Sequence, residues 1–272
     1  MKKTNNRPLA SIIITNYNKS NFFLKAVKSS IQQTYKNNEI IFFDDKSTDN
    51  SLNKIKNFKK KNNYKIKIIS NPQKKNSFAT FNHITAIKKS LNQAKGRYIF
   101  LLDSDDYFHK NKILEIIKTF ETDKKKNFIL DQPIFKYKKK IIKKKYPYKF
   151  SKNKWPKFPP TSCMCFEKKS LKTVLNKIAF KKFPNLAIDF RLAVYYALIL
   201  KKFYIHKSHF TFYRQVEEGM DSKYIKYRSK EWWKRRKEAF DFLNLLLKKN
   251  NLPTNKGLDF FITKFFNNIL KI

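Results

Sequence analysis

Four short apolar runs organise the first hundred residues: Ala10-Ser11-Ile12-Ile13-Ile14-Thr15, Glu39-Ile40-Ile41-Phe42-Phe43, the stretch holding Ile66, Ile68 and Ile69, and Tyr98-Ile99-Phe100-Leu101-Leu102. They read as buried strands. Between them, apolar residues recur at helical spacing: Phe23, Ala26, Val27 and Ile31 within 20–34, then Leu52, Ile55 and Phe58, then Ile84, Ile87, Leu91 and Ala94. A chain that alternates strand and helix in this way is confined to a parallel sheet covered by helices.

Two of these strands end in acids. Asp44-Asp45-Lys46-Ser47-Thr48-Asp49 follows the second run, and Asp103-Ser104-Asp105-Asp106 follows the fourth. Parallel strands all finish on one edge, so both clusters should face one crevice, the edge where ligands bind in open α/β sheets. Adjacent carboxylates repel and need a cation or hydrogen bonds to stay ionised together. With strand alternation, Asp103 and Asp105 share a face and suit a hard divalent ion such as Mg²⁺. The reading is a nucleotide site: one carboxylate accepts hydrogen bonds from base or ribose, and the other cluster holds a metal that bridges a diphosphate. The plainer alternative is a pair of capping turns, with Asp49 as N-cap of the helix after it.

Composition narrows the classes. The chain of 272 residues has 62 Lys plus Arg against 20 acids, but only seven of the basic residues are Arg. Arg is the better bidentate reader of phosphate, so the charge reads more as codon-level lysine bias than as a nucleic-acid site. Three glycines in all exclude Gly-rich phosphate loops. Any phosphate must be held by a metal, by basic side chains or by helix N-termini. Cys163 and Cys165 lie too close for an unstrained disulfide and complete no zinc pattern, which fits a reducing cytoplasm. Neither an apolar leader core nor a run long enough to span a bilayer is present in the sequence, and a cytoplasmic protein is the expectation.

The second half is rougher. Residues 132–157 hold 11 lysines and no acid, with prolines at 147, 156, 159 and 160 nearby, and read as an irregular surface excursion. Helices are expected near 168–178, 189–203, 229–249 and 257–271. The two tail helices have two readings: packing against the preceding domain, or peripheral membrane docking through Trp232-Trp233, Lys234-Arg235-Arg236 and the Phe-rich last helix.

The segments Ser11 to Asn18, Asp44 to Asp49, and Ala94-Lys95-Gly96-Arg97-Tyr98 through Asp106 together resemble the family 2 glycosyltransferases of the GT-A fold, over about residues 8–110. The resemblance implies a Rossmann-like, mainly parallel α/β sheet flanked by helices, with a C-terminal helical extension. It divides the chain into a domain at 8–215, with a nucleotide-sugar half at 8–106 and an acceptor half at 107–215, and an extension at 216–272. The implied reaction is an inverting sugar transfer from a UDP- or GDP-sugar to a saccharide or lipid-linked acceptor, in cell-envelope polysaccharide, lipopolysaccharide or glycolipid synthesis. On that resemblance Thr15, Tyr17 and Asn18 line the donor pocket, Asp44 faces the base beside Asp45, and Asn82 matches a family position. Asp103 faces ribose or metal, Ser104 lies between, Asp105 ligates Mg²⁺ or Mn²⁺, and Asp106 supports them. Two departures stand out. Lys46 replaces a common Gly, at little expected cost on an exposed turn, and Lys75 to Asn82 lacks the family's Gly-rich approach.

Inversion needs a base for the acceptor hydroxyl. The resemblance points to Asp189 in Ala187-Ile188-Asp189-Phe190-Arg191, although Ile188 stands where the family often has Glu, and a helix cap is the alternative role. Asp131 and Asp221 are weaker candidates. Arg214 is placed near the leaving diphosphate. His83, His109, His206 and His209 show no ligand spacing and read as structural or exposed. Two rival classes remain. Haloacid-dehalogenase-like phosphatases also use Asp-x-Asp after a strand, but Tyr107 stands where they want Thr or Val and Asp44-Asp45 goes unexplained. A non-enzymatic polyanion-binding module rests on charge alone. A peripheral position on the inner face of a membrane is compatible with all the residues cited.

Overall fold

The computed structural model describes residues 7–62, 64–72, 78–147, 156–178, 181–215, 228–254 and 256–271. The first half follows the expected alternation: β1 (Ala10–Asn16), α1 (Phe23–Ile31), β2 (Asn38–Asp44), α2 (Ser51–Asn62), β3 (Ile66–Ser70), α3 (Ala79–Gln93) and β4 (Tyr98–Asp103). These four strands are parallel neighbours in the order β3-β2-β1-β4. Successive residues of each strand feed opposite layers. Ile13, Ile41, Ile99 and Leu101 pack with α3 on one face, whereas Ile12, Ile14, Phe42, Phe100 and Leu102 pack with α1 and Ile55 on the other. Burial on both faces is why β1, β2 and β4 read as near-continuous apolar runs, whereas the edge strand β3 is interrupted by exposed Lys67.

Gly96 makes one close approach possible. Its amide donates to Ser11 Oγ at 2.8 Å, and a Cβ there would lie 2.5 Å from the same oxygen. Only Gly brings the turn before β4 so near to β1.

The second half departs from its sequence reading. It adds β5 (Tyr107–Phe108), α4 (Lys112–Thr122), β6 (Phe128–Lys136), β7 (Ile141–Lys143), β8 (Met164–Glu167), α5 (Lys168–Ile178), α6 (Ile188–Val194), β9 (Tyr204–Arg214), α7 (Lys230–Lys249) and α8 (Leu258–Ile269). The sheet continues β4-β8-β6-β9-β5, with β8 antiparallel to both β4 and β6. Residues 132–143, expected to be irregular, instead enter the sheet as the end of β6 and the β7 hairpin, while 144–147 are irregular as expected. Pro133 is tolerated at an irregularity: the β6–β9 register shifts twice between Leu130 and Pro133. The exposed edge strand β7 is fringed by Lys138–Lys140 and Lys143–Lys145, a lysine border that discourages further strand pairing. Residues 148–155 lie outside the described residues. The helix expected over 189–203 is also shorter. After α6 it loosens into a π-helical stretch, Tyr195–Ile199, and the chain turns into β9.

Of the two readings of the tail, α7 satisfies the packing one. Its Ala239, Phe240, Phe242, Leu243, Leu246 and Leu247 join the core formed by α3, α5 and α6. Glu238 on α7 accepts hydrogen bonds from the backbone and side-chain nitrogens of Asn185, at 2.8 and 2.6 Å, bracing the loop before α6. Among the described residues no helix is long and apolar enough to cross a membrane.

Candidate active site

The carboxyl ends of β1, β2 and β4 meet at one edge of the sheet. Asn16 stands opposite Asp44 and Thr15 opposite Asp103, so both acidic turns flank the end of β1. They are built differently. Asp44 is fully buried, and its oxygens accept from Asn16 Nδ2 at 2.9 Å, Ser47 N at 3.0 Å and Ser47 Oγ at 2.7 Å. Asp44 is thus the buried hub of the turn after β2, and it does not face an open crevice as the resemblance implied. Asp45 keeps one oxygen in reserve: Oδ1 accepts from Asn71 Nδ2 at 2.8 Å, while Oδ2 has no partner among the described residues.

Asn18 joins the same construction. Its Oδ1 accepts from Thr48 N at 2.8 Å, its Nδ2 donates to Thr48 Oγ1 at 3.0 Å, and its backbone takes φ 49°. It clamps the β1 loop to the β2 loop through its side-chain amide. Asp49 ties the two loops together again, accepting from Ser20 N and Ser51 N, both at 2.9 Å. Lys46 has φ 56°, the left-handed region where Gly is favoured, so its replacement of Gly carries strain despite its place in an exposed turn.

At the end of β4 the acids take three roles. Asp103 Oδ1 receives Thr15 Oγ1 at 3.1 Å and lies 3.2 Å from His83 Nε2, while Oδ2 is unoccupied among the described residues. Asp105 Oδ2 pairs with Lys19 Nζ at 3.3 Å. Burial, then the charge of Asp103, pushes the Asp105 carboxyl above the usual carboxylate range, with Lys19 only partly opposing them. Asp106 is structural. It is fully buried and accepts from Ser162 Oγ at 2.6 Å and from Arg214 N at 2.8 Å. Burial and its acidic neighbours hold its carboxyl well above the ordinary value. Ser104, also buried, contributes its amide to the Thr15 carbonyl at 3.1 Å.

His83, dismissed on spacing, therefore sits in the site. It lies on the second turn of α3, one residue after Asn82, and reaches both Thr15 Oγ1 and Asp103 Oδ1 at 3.2 Å. Burial opposes its charge, but the carboxylates of Asp103, Asp189 and Asp105 outweigh it and raise the His83 pKa. No linear spacing could reveal this, because the contact spans two crossovers of the sheet. Lys19 was missed for the same reason.

Asp189 occupies the first turn of α6, half-buried, and its field reaches His83 from the acceptor side. It is not the N-cap, which is Ala187 and has no side-chain capping bond. Arg191, fully buried, fixes this helix start by donating to the carbonyls of Ile178 and Leu186, both at 3.0 Å, and of Phe183. Asp189 also lines a cavity of about 260 Å³ with Phe158, Leu186, Trp232 and Arg235. Arg214 lies over the Phe22 ring at 5.0 Å and donates to the carbonyls of Asp105 and Phe22, so it pins the acidic turn from behind. Tyr17 is exposed at the rim. Asp131 is excluded as a base, because it is sealed in an ion pair with Lys112 at 2.7 Å. Asp221 falls outside the described residues. His206 and His209 lie earlier on β9 than Arg214, with His209 Nδ1 3.1 Å from the Pro133 carbonyl, and His109 follows β5.

The carboxylate oxygens of Asp103 and Asp105 are a hard donor set, and the raised Asp105 pKa marks a shortage of positive charge beside them. Both observations fit a divalent cation. Among the described residues, no group of three or more His, Cys, Asp or Glu side chains forms a closed metal cage.

Comparison with known proteins bears on the fold and the family. An Escherichia coli protein named as a UDP-Glc:alpha-D-GlcNAc-diphosphoundecaprenol beta-1,3-glucosyltransferase is 42% identical over 119 residues, 43% of this chain and 43% of its own length. A Pasteurella multocida hyaluronan synthase is 37% identical over 120 residues, 44% of this chain and 12% of its own. The chain thus spans less than half the length of these relatives. Among solved structures, residues 1–349 of Staphylococcus aureus TarS in complex with UDP align with TM-score 0.59 at 16% identity, covering 88% of this chain and 72% of that one. A Pyrobaculum calidifontis mannosyltransferase with GDP-Man and Mn²⁺ aligns with TM-score 0.54 at 12% identity, covering 98% and 70%. The glycosyl transferase family 2 profile matches residues 11–192, more than half of the sequence, and the chain belongs to that family.

Proposed function

We propose that this chain is a metal-dependent inverting glycosyltransferase that moves a sugar from a UDP- or GDP-sugar to a hydroxyl of a saccharide or lipid-linked acceptor. The setting is cell-envelope polysaccharide, lipopolysaccharide or glycolipid synthesis, with peripheral contact at the inner face of a membrane. The observation that carries the reading is the convergence of Asp45, Thr15, Asp103 and Asp105 on one sheet edge, with Asp189 approaching from the other half. The named activity of the Escherichia coli relative, which uses a lipid-linked diphosphate acceptor, supports the same choice of acceptor.

In this reading Asp45, with a free oxygen, takes the base-facing role that Asp44 cannot fill. Asp103 meets the ribose, oriented by Thr15 and His83 through its other oxygen. Asp105 and Asp103 hold Mg²⁺ or Mn²⁺, which when bound supplies positive charge beside the leaving diphosphate. Asp189 accepts the proton of the acceptor hydroxyl as its oxygen attacks the anomeric carbon and the bond to the diphosphate breaks. Its place in the first turn of α6 favours the carboxylate that this role needs.

The test is a thermal-shift panel of UDP- and GDP-sugars with Mn²⁺. Specific binding at about a hundredfold over Kd should raise Tm by about 5–10 °C, since it stabilises by about 2.7 kcal/mol. Asp105→Ala should abolish the shift and sugar transfer. If the variant retains both with every donor, the proposal is wrong.

A further inference from the structure

The last helix is built inside out. On α8 the residues that touch α7 are largely polar: Thr263 Oγ1 accepts from Arg236 Nε at 2.8 Å, Asn267 Nδ2 donates to the Trp233 carbonyl at 3.2 Å, and Asp259 pairs with Arg236 at 2.9 Å. Phe266, stacked on Trp233 at 4.5 Å, and Phe260, against Phe240 at 5.7 Å, complete the contact. The opposite stripe is apolar and open. Leu258 is 75% exposed, Phe261 53%, Phe265 60% and Ile269 58%, with Ile262 beside them. These positions recur every three or four residues, so they form one face. A surface helix ordinarily turns its apolar stripe inward. Here the inward face is satisfied by hydrogen bonds, and the apolar stripe is left more than half exposed at Leu258, Phe261, Phe265 and Ile269.

We infer that this stripe docks on a bilayer surface carrying anionic headgroups. Exposed Lys264 flanks the stripe on the helix, exposed Lys256 and Lys271 stand just beyond its two ends, and the sole acid of the helix, Asp259, is paired with Arg236. An apolar face edged by lysines matches the boundary between acyl chains and anionic headgroups. At 12 residues the helix is about 18 Å long, too short to cross and suited to lying in the interface plane. Charge argues against a second copy as the occupant, because each copy carries a formal +42 that association would bring together. The inference deepens the membrane contact proposed above by naming the surface that makes it.

The experiment is flotation of the full chain with vesicles of phosphatidylglycerol and phosphatidylethanolamine, and with phosphatidylcholine vesicles. The wild type should bind the anionic vesicles preferentially. The triple variant Phe261→Ser, Phe265→Ser, Ile269→Ser should lose about tenfold or more in apparent partitioning, since partitioning scales with buried apolar area. Donor-induced thermal shift, read in parallel, should be unchanged, so failure of docking and failure of the sugar-transfer reading are told apart. Hydrogen exchange on the wild type supplies a second measure that needs no variant: amides of 258–269 should gain protection with anionic vesicles. Undiminished binding by the triple variant overturns the inference, as does unchanged exchange in 258–269. A wild-type dimer dispersed by the substitutions while vesicle binding persists would assign the stripe to self-association instead.

Discussion

Replacing Lys112 tests the buried polar centre that supports the acidic turn. Lys112 and Asp131 are both fully buried, 2.7 Å apart, and Lys112 Nζ also donates to the Ser162 carbonyl and Thr211 Oγ1, each at 2.7 Å. Asp131 accepts in addition from Phe210 N at 3.0 Å and from Thr211 Oγ1. Ser162 in turn holds Asp106 at 2.6 Å and the Asp103 amide at 3.0 Å. One ammonium therefore joins α4, β6, β9 and the residues behind the site. Lys112→Met removes the cation and strands a carboxylate in a dry interior, which costs about 3–5 kcal/mol. Lys112→Met with Asp131→Leu removes both charges, and should recover most of that loss, because a buried pair replaced by apolar groups is often near neutral. Thr211 and the Phe210 amide lose an acceptor, so recovery should stop short of the wild type by about 1–2 kcal/mol. Urea unfolding followed by circular dichroism gives all four corners of the cycle. The Lys112 pKa is raised: burial opposes the charge, but Asp131 more than offsets it. The contribution is thus fully present below the unfolded lysine value of about 10.4, and is lost only as pH rises through the higher folded value. A single-variant loss under about 1 kcal/mol, or a double variant whose loss equals the sum of the singles, would refute the reasoning.

Three further outcomes are expected. Lys46→Gly should raise stability by about 1 kcal/mol in the same urea assay, because it relieves a side chain held at φ 56°. Cys163 and Cys165 are fully buried, and burial pushes the Cys165 thiol up to about 12 and Cys163 well above its ordinary value, so neither should react with Ellman's reagent at pH 8 until the chain is unfolded. His83→Ala, which takes one of two contacts from Asp103 Oδ1, should weaken donor binding by about tenfold in a thermal-shift titration, with His83→Gln partly restoring it.

The legible part of this protein was its first half. β1, β2 and β4 lie buried on both faces, β3 forms the edge, and the strands alternate with amphipathic helices, so local pattern and tertiary environment agree. The acidic turns were legible too, because a cluster of carboxylates in so basic a chain is conspicuous. The second half hid its strands. β6 carries Asp131, Gln132 and Pro133 in its middle, and β9 runs Tyr204-Ile205-His206-Lys207-Ser208-His209-Phe210-Thr211-Phe212-Tyr213-Arg214, with polar residues throughout. Their strand character comes from pairing with each other and with β8, a set of non-local hydrogen bonds that no window of sequence contains.

The division is physical. Sequence alone determined that a parallel sheet would form and that its carboxyl edge would carry Thr15, Asp44, Asp45, Asp103 and Asp105, because strand direction and side-chain alternation follow from local pattern. Tertiary structure decided how those carboxylates divide the work. Asn16 and Ser47 consume Asp44, Asn71 leaves Asp45 half free, and Ser162 and Arg214 turn Asp106 into an anchor. It also decided that His83 and Lys19 belong to the site, and that α8 shows Phe261 and Phe265 outward. Hydrogen-bond saturation and burial are properties of neighbours, and most of these neighbours are far apart in sequence.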